Sequence, residues 1–433
     1  MKKNKKIVYV GLSADILHQG HINILKTAYK LGEVTVGLLT DQAIASYKKI
    51  PHLNFKQREI VLKNMKFVSK VIPQNTLDYR PNLKLLKPDY VVHGDDWKTG
   101  IQKKTRLQVI KTLKQWSGKL VEPKYTQNIS STLIKKNILK VGTSPDKRKS
   151  KLKRILEAKE VVRVLESHSA LVGLIIENLK VVKNQKYLEF DAMWSSSLTD
   201  SALRGKPDNQ SVDYSSRILG LNEILDVTTK PIIFDADNGG RLEHLPYMIK
   251  SLERIGVSAV IIEDKIGLKK NSLFENQSGA LQDTVKGFCQ KISKAKETKI
   301  SDDFMIIARI ESFILGNGLQ DALKRAEAYS KAGADAILIH SKENNPSQIF
   351  SFAKKFKKSK YFKPMVAVPS SYSKTYEKDL VKNGFRIIIY ANHMMRASYP
   401  AMVEVAKSIL TNKRSYNAEK KISSVKEIIN LIK

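Results

Sequence analysis

The sequence predicts an α/β protein in two parts: a parallel sheet with helices on both faces over residues 1–140, then a (β/α)8 barrel over residues 158–433. Three observations carry this. Through the first part, short apolar runs alternate with helically spaced segments, the pattern of parallel strands joined by helices. A break holding Gly142 and Pro145, followed by Lys147-Arg-Lys-Ser-Lys-Leu-Lys-Arg154, reads as a basic linker over residues 141–157. Beyond it, apolar runs end in polar residues again and again, in phase, over the length such a barrel needs.

The chain has 433 residues, 42% of them hydrophobic, which suits globular domains with real cores. No apolar run is long enough for a membrane span. The basic residues at the start lead into an apolar segment that soon turns polar, so it reads as a first strand and not a signal peptide. A single cysteine, Cys289, excludes an internal disulfide and fits a cytoplasmic protein. Lys and Arg number 76 against 42 Asp and Glu, a net charge of +34. The excess is spread widely; of its local runs, Lys147–Lys153 has no aromatic and Lys354–Lys360 only Phe356, so it reads as a lysine-rich solvated surface with no nucleic-acid role and no membrane partner. A positive field also favours small anionic substrates.

In the first part, residues 6–12 (Lys-Ile-Val-Tyr-Val-Gly-Leu) form the opening strand and residues 18–31 a helix with Ile22, Leu25, Ala28 and Leu31 on one face. Strands follow at 34–39, 69–72 and 89–93, with a helix at 57–68. Between the first strand and helix stands His18-Gln-Gly-His21. Two imidazoles three residues apart at a helix start face one region, and the free N–H groups there suit an anion. That site can hold a nucleotide's α-phosphate and stabilise the charge that grows as it is attacked. Zinc is a poor fit, since no cysteines complete a ligand set.

These residues resemble the hallmark His-x-Gly-His of the cytidylyltransferase-type nucleotidyltransferases, whose domain is Rossmann-like. The family's second hallmark appears as Ile129-Ser-Ser-Thr132, which the resemblance implies for the departing β- and γ-phosphates through Ser130, Ser131 and Thr132. By the same resemblance His18 and His21 are catalytic, Asp15 matches the acidic residue before them, and Lys48 and Lys49 match a phosphate-binding lysine. Arg58 stands where a basic residue is usual, and His93-Gly-Asp-Asp-Trp97 resembles the nucleotide-binding edge, with Asp95 as its candidate contact. Leu12-Ser-Ala-Asp15 departs from the family's Gly-Thr-Phe-Asp, and Lys135 replaces an arginine. CTP as the donor rests on this resemblance, because spacing alone also fits ATP.

After the linker, residues 155–166 read as helical, and a segment near 171–176 supplies a helix or a strand. Candidate strands then end at Trp194, Asp235, Glu263, Arg309, His340, Val368 and Asn392. The strand ends carry the chemistry, and a barrel builds its active site at that face. Asp235-Ala-Asp237 puts two carboxylates on one side of a strand. With Glu263 they can position Mg²⁺ directly or through water. The run at 257–262 ends in Glu263-Asp-Lys265, and a packed strand gains nothing from such an ending.

Glu263 to Ser272 resembles the signature of phosphoenolpyruvate mutase, in the isocitrate lyase superfamily, where Glu-Asp-Lys precedes a gating loop ending Lys-x-Asn-Ser. The likeness extends over most of residues 166–398, including Arg309-Ile-Glu-Ser-Phe and Ala391-Asn-His-Met-Met-Arg-Ala-Ser398. It implies that Asp235 is the main metal-positioning aspartate, with Asp237 and Glu263 beside it. It implies that Trp194, Ser196 and Ser197 bind the substrate carboxylate and that Asp208 lies near the transferring phosphoryl group. Lys269, Asn271 and Ser272 then belong to the gate, and Arg309 and His340 touch substrate. Asp237-Asn-Gly-Gly240 departs from the family's Asp-Thr-Gly-Tyr-Gly. The lyases of the superfamily carry a catalytic cysteine in this loop, and this chain has none there. Phosphonopyruvate hydrolase is the near rival, with a nucleotidyltransferase domain reduced to a scaffold; Asn271 favours the mutase.

Together the halves resemble the bifunctional cytidylyltransferase–phosphoenolpyruvate mutases. The expected partners are phosphoenolpyruvate or phosphonopyruvate, CTP and a phosphonate, with Mg²⁺ as cofactor. The resemblance also implies a homo-oligomer, a dimer or tetramer, through exchange of a C-terminal helix near residues 398–410.

Overall fold

A computed structural model of the chain describes residues 5–99, 102–124, 143–183, 186–267, 269–273 and 277–432. It divides into two compact units, Met1–Val141 with Glu157–Lys159 and Lys180–Leu188, and Gly142–Leu156 with Glu160–Leu179 and Glu189–Lys433. No described helix is long and apolar enough to cross a membrane.

In the first unit, β1 (Ile7–Leu12), β2 (Glu33–Leu39), β3 (Lys70–Gln74), β4 (Tyr90–Val92) and β5 (Lys119–Val121) form a parallel sheet ordered β3-β2-β1-β4-β5. The period of two along β1 divides its side chains between two cores. Val8, Val10 and Leu12 pack with Leu25 and Ala28 of the helix Gln19–Leu31, while Tyr9 joins Tyr79, Trp97 and Val109 on the other face. Both faces are covered, which is why the central strands read as unbroken apolar runs. The strand order reverses between β1 and β4, and the crevice beyond their C-terminal ends is where such a sheet takes ligands. Gly11 lies at that crevice, and a Cβ there would stand 2.3 Å from the Tyr79 hydroxyl, so only glycine lets this ring close the floor. The sequence did not predict β5. It is three residues long at the sheet's edge and only partly buried, too short for a periodicity.

In the second unit β6 (Val162–Glu166) opens the barrel. Next in the chain, and grouped with the first unit, comes a separate antiparallel pair of strands, β7 (Val181–Lys183) and β8 (Lys186–Leu188). Then follow β9 (Ala192–Ser195), β10 (Ile232–Asp235), β11 (Ala259–Glu263), the two-residue ribbon of β12 (Lys265–Ile266) and β13 (Leu281–Gln282), β14 (Met305–Ile310), β15 (Ala336–Ile339), β16 (Met365–Ala367) and β17 (Phe385–Tyr390). The strands β6, β9, β10, β11, β14, β15, β16 and β17 close in that order into a parallel barrel. Alternation fixes which residues face inward. Ile232 and Phe234, Val260 and Ile262, and Ile306, Ala308 and Ile310 pack outward in one large core with the helices. The intervening positions, Asp235, Glu263 and Arg309, therefore point into the barrel at its C-terminal rim.

Two expectations are corrected here. Residues 155–166 are not one helix: the helix ends at Ala158, and Val162–Glu166 is the first barrel strand, as its Val-x-Val-Leu branching favours. Residues 171–176 then lie in the helix Ala170–Asn178. The basic run is also not a solvated linker. It forms the helix Pro145–Ala158, with Leu152 and Ile155 buried and Arg148 only 4% exposed. The Arg148 guanidinium donates to the carbonyls of Leu225 (2.9 Å) and Thr228 (3.0 Å), and Ser258 Oγ donates to the Arg148 carbonyl (2.8 Å). This helix covers the barrel end opposite the rim. Its charge count hid an amphipathic face, because one buried arginine, Arg148, satisfies carbonyls that precede β10 and β11. Arg148→Ala would orphan both carbonyls, and we expect it to destabilise the barrel by about 2–4 kcal/mol, seen as a lower urea midpoint with catalysis of the surviving folded fraction unchanged.

Candidate active sites

The barrel rim collects the side chains that the strand phase aims there. Asp235 at the end of β10 accepts from Ser197 Oγ (3.0 Å), Ser197 N (3.3 Å) and Asp237 N (3.2 Å). Asp237 sits at φ 50, a left-handed conformation that a non-glycine residue rarely adopts and that functional sites tolerate. Above these carboxylates lies the loop after β12. Lys269 Nζ donates to Asp208 (2.8 Å), to Asp237 and to Ser197 Oγ, and Asn271 Nδ2 donates to the other Asp208 oxygen (2.7 Å). Asp208 lies 61 and 63 residues before Lys269 and Asn271 in sequence, and the three form one cluster.

A second cluster centres on Arg309. Its guanidinium meets Glu311 (2.6 Å), Ser272 Oγ (2.9 Å), His340 Nδ1 (3.1 Å) and Glu263 (3.3 Å). Lys265 reaches Ser272 Oγ (2.7 Å) and Glu311 (3.2 Å). Electrostatics follow from burial and these pairs. Burial opposes ionisation of Asp235, but Lys269 and Arg309 outweigh it and hold the carboxyl below its usual range. The same carboxylates raise Lys269 against its own burial. Burial pushes Glu263 up to about 7, and burial with the Arg309 charge keeps His340 below its ordinary value, hence neutral. A cavity of about 60 Å³ remains, lined by Trp194, Ser196, Ser197, Asp208, Asp235, Lys269, Asn271, Ser272, Arg309 and His340, with Leu338, Val368, Ser370, Ala391 and Asn392 among the rest of the wall.

The structure thus brings together the residues expected around the substrate. The expected metal set is looser. Among the described residues no group of three His, Cys, Asp or Glu side chains stands at metal-holding spacing, and Lys269 lies against Asp237. The donors still fit a hard cation: Asp235 and Asp237 are buried oxygens, and Glu263 Oε1 is buried without a partner.

Sequence reasoning missed several residues. Arg217, in the helix Tyr214–Val227, is 2% exposed and donates to Asp200 (2.8 Å) and to the Asp235 carbonyl (2.6 Å), with its guanidinium 4.2 Å from the Phe234 ring. Arginines on outer helices normally face solvent, so nothing in the sequence marked it. Asp264 points away from the cavity and gathers Glu311 N (2.9 Å), Gln282 (2.8 Å), Tyr329 Oη (2.8 Å) and Arg325 (3.3 Å), fixing the loop after β14. The alternation after Glu263 could have shown that this neighbour faces outward.

In the first unit a cavity of about 210 Å³ opens at the sheet's crevice, lined by Gly11, Ser13, His18, His21, Lys48, Tyr79, His93, Trp97 and Lys124 among others. His18 is the N-cap of Gln19–Leu31, and its Nδ1 accepts from Gly20 N (3.1 Å), while His21 Nδ1 accepts from His18 N (3.4 Å). An imidazole whose Nδ1 accepts a backbone N–H carries its proton on Nε2. Both histidines are therefore neutral Nε2–H donors. Burial, then the neighbouring His18 and Lys48, pushes His21 down to about 4. In a histidine-resolved NMR titration of the free protein, His21 should titrate near pH 4 and not near the ordinary 6.5; a midpoint above 6 would contradict this geometry.

Lys48 lines this cavity, with Nζ on Ser13 Oγ (3.2 Å), but Lys49 and Asp95 are outside its lining, where Asp96 takes part instead. Asp15 is also outside it. Its carboxylate accepts from His52 N (2.6 Å) and Leu53 N (3.1 Å), which holds the loop there. Arg58, fully buried, is spent on the carbonyls of Ser13 (2.6 Å) and Leu39 (2.9 Å) and on Asp41 (2.6 Å). Ser130, Ser131 and Thr132 lie outside the described residues. His93 stacks on Trp97 at 3.8 Å, an aromatic wall the sequence did not signal.

Comparisons with known proteins match both parts of the chain. Residues 152–410 match the family model for phosphoenolpyruvate phosphomutase, and residues 9–137 match the cytidylyltransferase-like model. A phosphoenolpyruvate phosphomutase of Tetrahymena pyriformis is 36% identical over 296 residues, 68% of this chain and 94% of that protein. The crystal structure of a phosphoenolpyruvate phosphomutase from Streptomyces platensis subsp. rosaceus superposes with a TM-score of 0.60 at 30% identity, covering 67% of this chain and 95% of that one. A phosphonopyruvate hydrolase solved in complex with oxalate and Mg²⁺ gives a TM-score of 0.58 at 30% identity, covering 67% and 95%. On the barrel, its rim and these matches, the chain belongs to the phosphoenolpyruvate phosphomutase family of enzymes and carries a cytidylyltransferase-like domain at its N-terminal side.

Proposed function

We propose that the chain is a bifunctional enzyme of phosphonate biosynthesis. Its barrel interconverts phosphoenolpyruvate and phosphonopyruvate, and its first domain transfers CMP from CTP to a phosphonate, releasing pyrophosphate. The observation that carries the first half is the meeting of Lys269 and Asn271 on Asp208 above Asp235. In that reaction the phosphorus–oxygen bond of the enol phosphate breaks and a bond from phosphorus to the methylene carbon forms, with no atom gained or lost. Lys269 and Asn271 hold the phosphoryl oxygens, and the closed loop keeps water from the transferring group. Arg309 offers positive charge to the enolate, and Trp194, Ser196 and Ser197 hold its carboxylate. Asp208 either accepts the phosphoryl group or steadies it in flight.

Mg²⁺, present in the related hydrolase, would be held by the carboxylates of Asp235, Asp237 and Glu263. When bound, it would polarise the enolate oxygens as a Lewis acid. In the first domain the phosphonate oxygen attacks the α-phosphorus of CTP and the bond to the bridging oxygen breaks. The Nε2–H groups of His18 and His21 donate to the α-phosphate as charge grows there, with Lys48, Ser130, Ser131 and Thr132 holding the remaining phosphates. The acceptor is 2-hydroxyethylphosphonate or 2-aminoethylphosphonate.

The barrel also supports a homo-oligomer. The helix His393–Asn412 has no buried residue and exposes Tyr399, Met402 and Leu410, a face that a second copy would cover. Sedimentation measures that state. Phosphorus NMR of the purified protein with Mg²⁺ and phosphonopyruvate tests the function: a growing phosphoenolpyruvate signal is expected. Inorganic phosphate with pyruvate would show a hydrolase instead.

A further inference from the structure

Asn392 follows β17 and is the N-cap of the helix His393–Asn412. Asparagine is among the strongest N-cap residues because its Oδ1 accepts from the amides of the helix's first turn. Here it makes no such bond. Those amides are taken by another residue: Met394 N (3.0 Å) and Met395 N (3.2 Å) both donate to Glu166 Oε2. Glu166 ends β6, is fully buried, and its second oxygen holds His168 Nδ1. A carboxylate from the adjacent strand thus caps the helix and releases the asparagine from its ordinary task.

The released carboxamide is 6% exposed, lines the rim cavity, and leaves Oδ1 buried without a partner. Trp194 Nε1, on the same cavity, is likewise buried without a partner. The two flank Glu166: β6 pairs with β17 through Leu165 and Tyr390, and with β9 through Glu166 and Trp194. Folded proteins leave few buried polar groups without a partner, and two of the eight such side-chain atoms among the described residues share this one cavity wall, which points to a ligand that satisfies them. The remaining wall on that side, Leu338, Val368 and Ala391, is apolar except for Ser370, so Asn392 supplies polarity where little else does. The carboxamide has a donor end and an acceptor end and can turn by half a revolution to present Nδ2 to an anionic oxygen.

We propose that Asn392 contacts the substrate, donating from its carboxamide to an oxygen of the pyruvyl part, and that Glu166 is the positioning residue that frees it by capping the helix in its place. This rests on the barrel function proposed above. Oxalate, which resembles the planar pyruvate enolate, serves as the probe of the pyruvyl subsite in the full-length protein with Mg²⁺.

Asn392→Ala should weaken oxalate binding about tenfold by calorimetry and lower kcat/KM for phosphonopyruvate at least tenfold. Asn392→Asp, the same shape with a negative charge, should weaken both further. Glu166→Ala returns the two amides to Asn392 and should reproduce the Asn392→Ala loss. The double variant should then be no worse than either single one, and Glu166→Gln, which keeps an acceptor, should restore oxalate affinity to within threefold of the wild type. A merely structural Glu166 would lower the unfolding temperature while leaving the oxalate affinity of the folded protein unchanged, and that result would overturn the positioning role. Oxalate affinity within twofold of wild type in both Asn392 variants would overturn the contact. Absence of phosphonopyruvate turnover by the wild type would overturn the underlying function alone, since the oxalate comparison does not depend on turnover.

Discussion

Asp235→Ala should lower phosphonopyruvate turnover by about 10³-fold or more while CMP transfer stays within twofold of wild type. The carboxylate is the fixed point of the barrel rim. It receives the Ser197 amide and hydroxyl and the Asp237 amide, and Lys269 and Arg309 keep it ionised despite full burial. On the proposed function, removing it would take away an oxygen that holds the divalent cation, and a polarising cation contributes several kcal/mol to stabilising charge in the transition state. It also leaves Lys269 with less opposing charge, so the loop loses part of its hold. Asp235→Asn separates the two effects, since it preserves the shape and removes only the charge. Both variants should bind Mg²⁺ at least tenfold more weakly by calorimetry. The first domain has its own sheet, cavity and histidines, so its rate is the internal control for folding. Loss of CMP transfer in a folded Asp235→Ala protein would refute two independent sites.

His18→Asn should do the converse, lowering CMP transfer by about 10²–10³-fold with mutase turnover unchanged, as expected when one preorganised donor to a developing oxyanion is lost. The choice of asparagine matters. His18 caps its helix through Nδ1, and asparagine is an equally good cap, so helix stability survives while the Nε2–H donor is gone. His18→Ala would lose the cap as well, about 1 kcal/mol, and mix folding with chemistry. If His18→Asn transferred CMP at the wild-type rate, the histidine pair would be a structural cap and nothing more. The assay needs both candidate phosphonates, with pyrophosphate release as the readout.

Much of this was legible in the sequence because strand periodicity is local. A residue at the end of an apolar run faces the same way as every second residue before it, and this is enough to place Asp235, Glu263, Arg309 and His340 together on one rim from the sequence. The motif His18-Gln-Gly-His21 was legible for a similar reason: spacing at a helix start fixes where both rings point. Charge runs were not legible in this way. Counting lysines and arginines over residues 147–154 suggested solvation, whereas Arg148 satisfies backbone carbonyls in the segment 225–228, a pairing between distant parts of the chain. Asp15, Lys49 and Asp95 were read as nucleotide contacts by position along the chain; the structure places Asp15 on the His52 and Leu53 amides, and all three stand outside the lining of the first unit's cavity.

By itself the sequence determined the two-part α/β order, the inward phase of the barrel strands and the residue types at each rim position, because these follow from periods of two and 3.6 along the chain. Only the tertiary structure decided which oxygens are spent and which are left over. Arg217 and Asp264 became supports, Glu166 took over a helix cap, and Trp194 and Asn392 kept unpartnered polar atoms at the cavity. Hydrogen-bond partners between strands and loops dozens of residues apart depend on closing the barrel, and no local pattern in the chain records them.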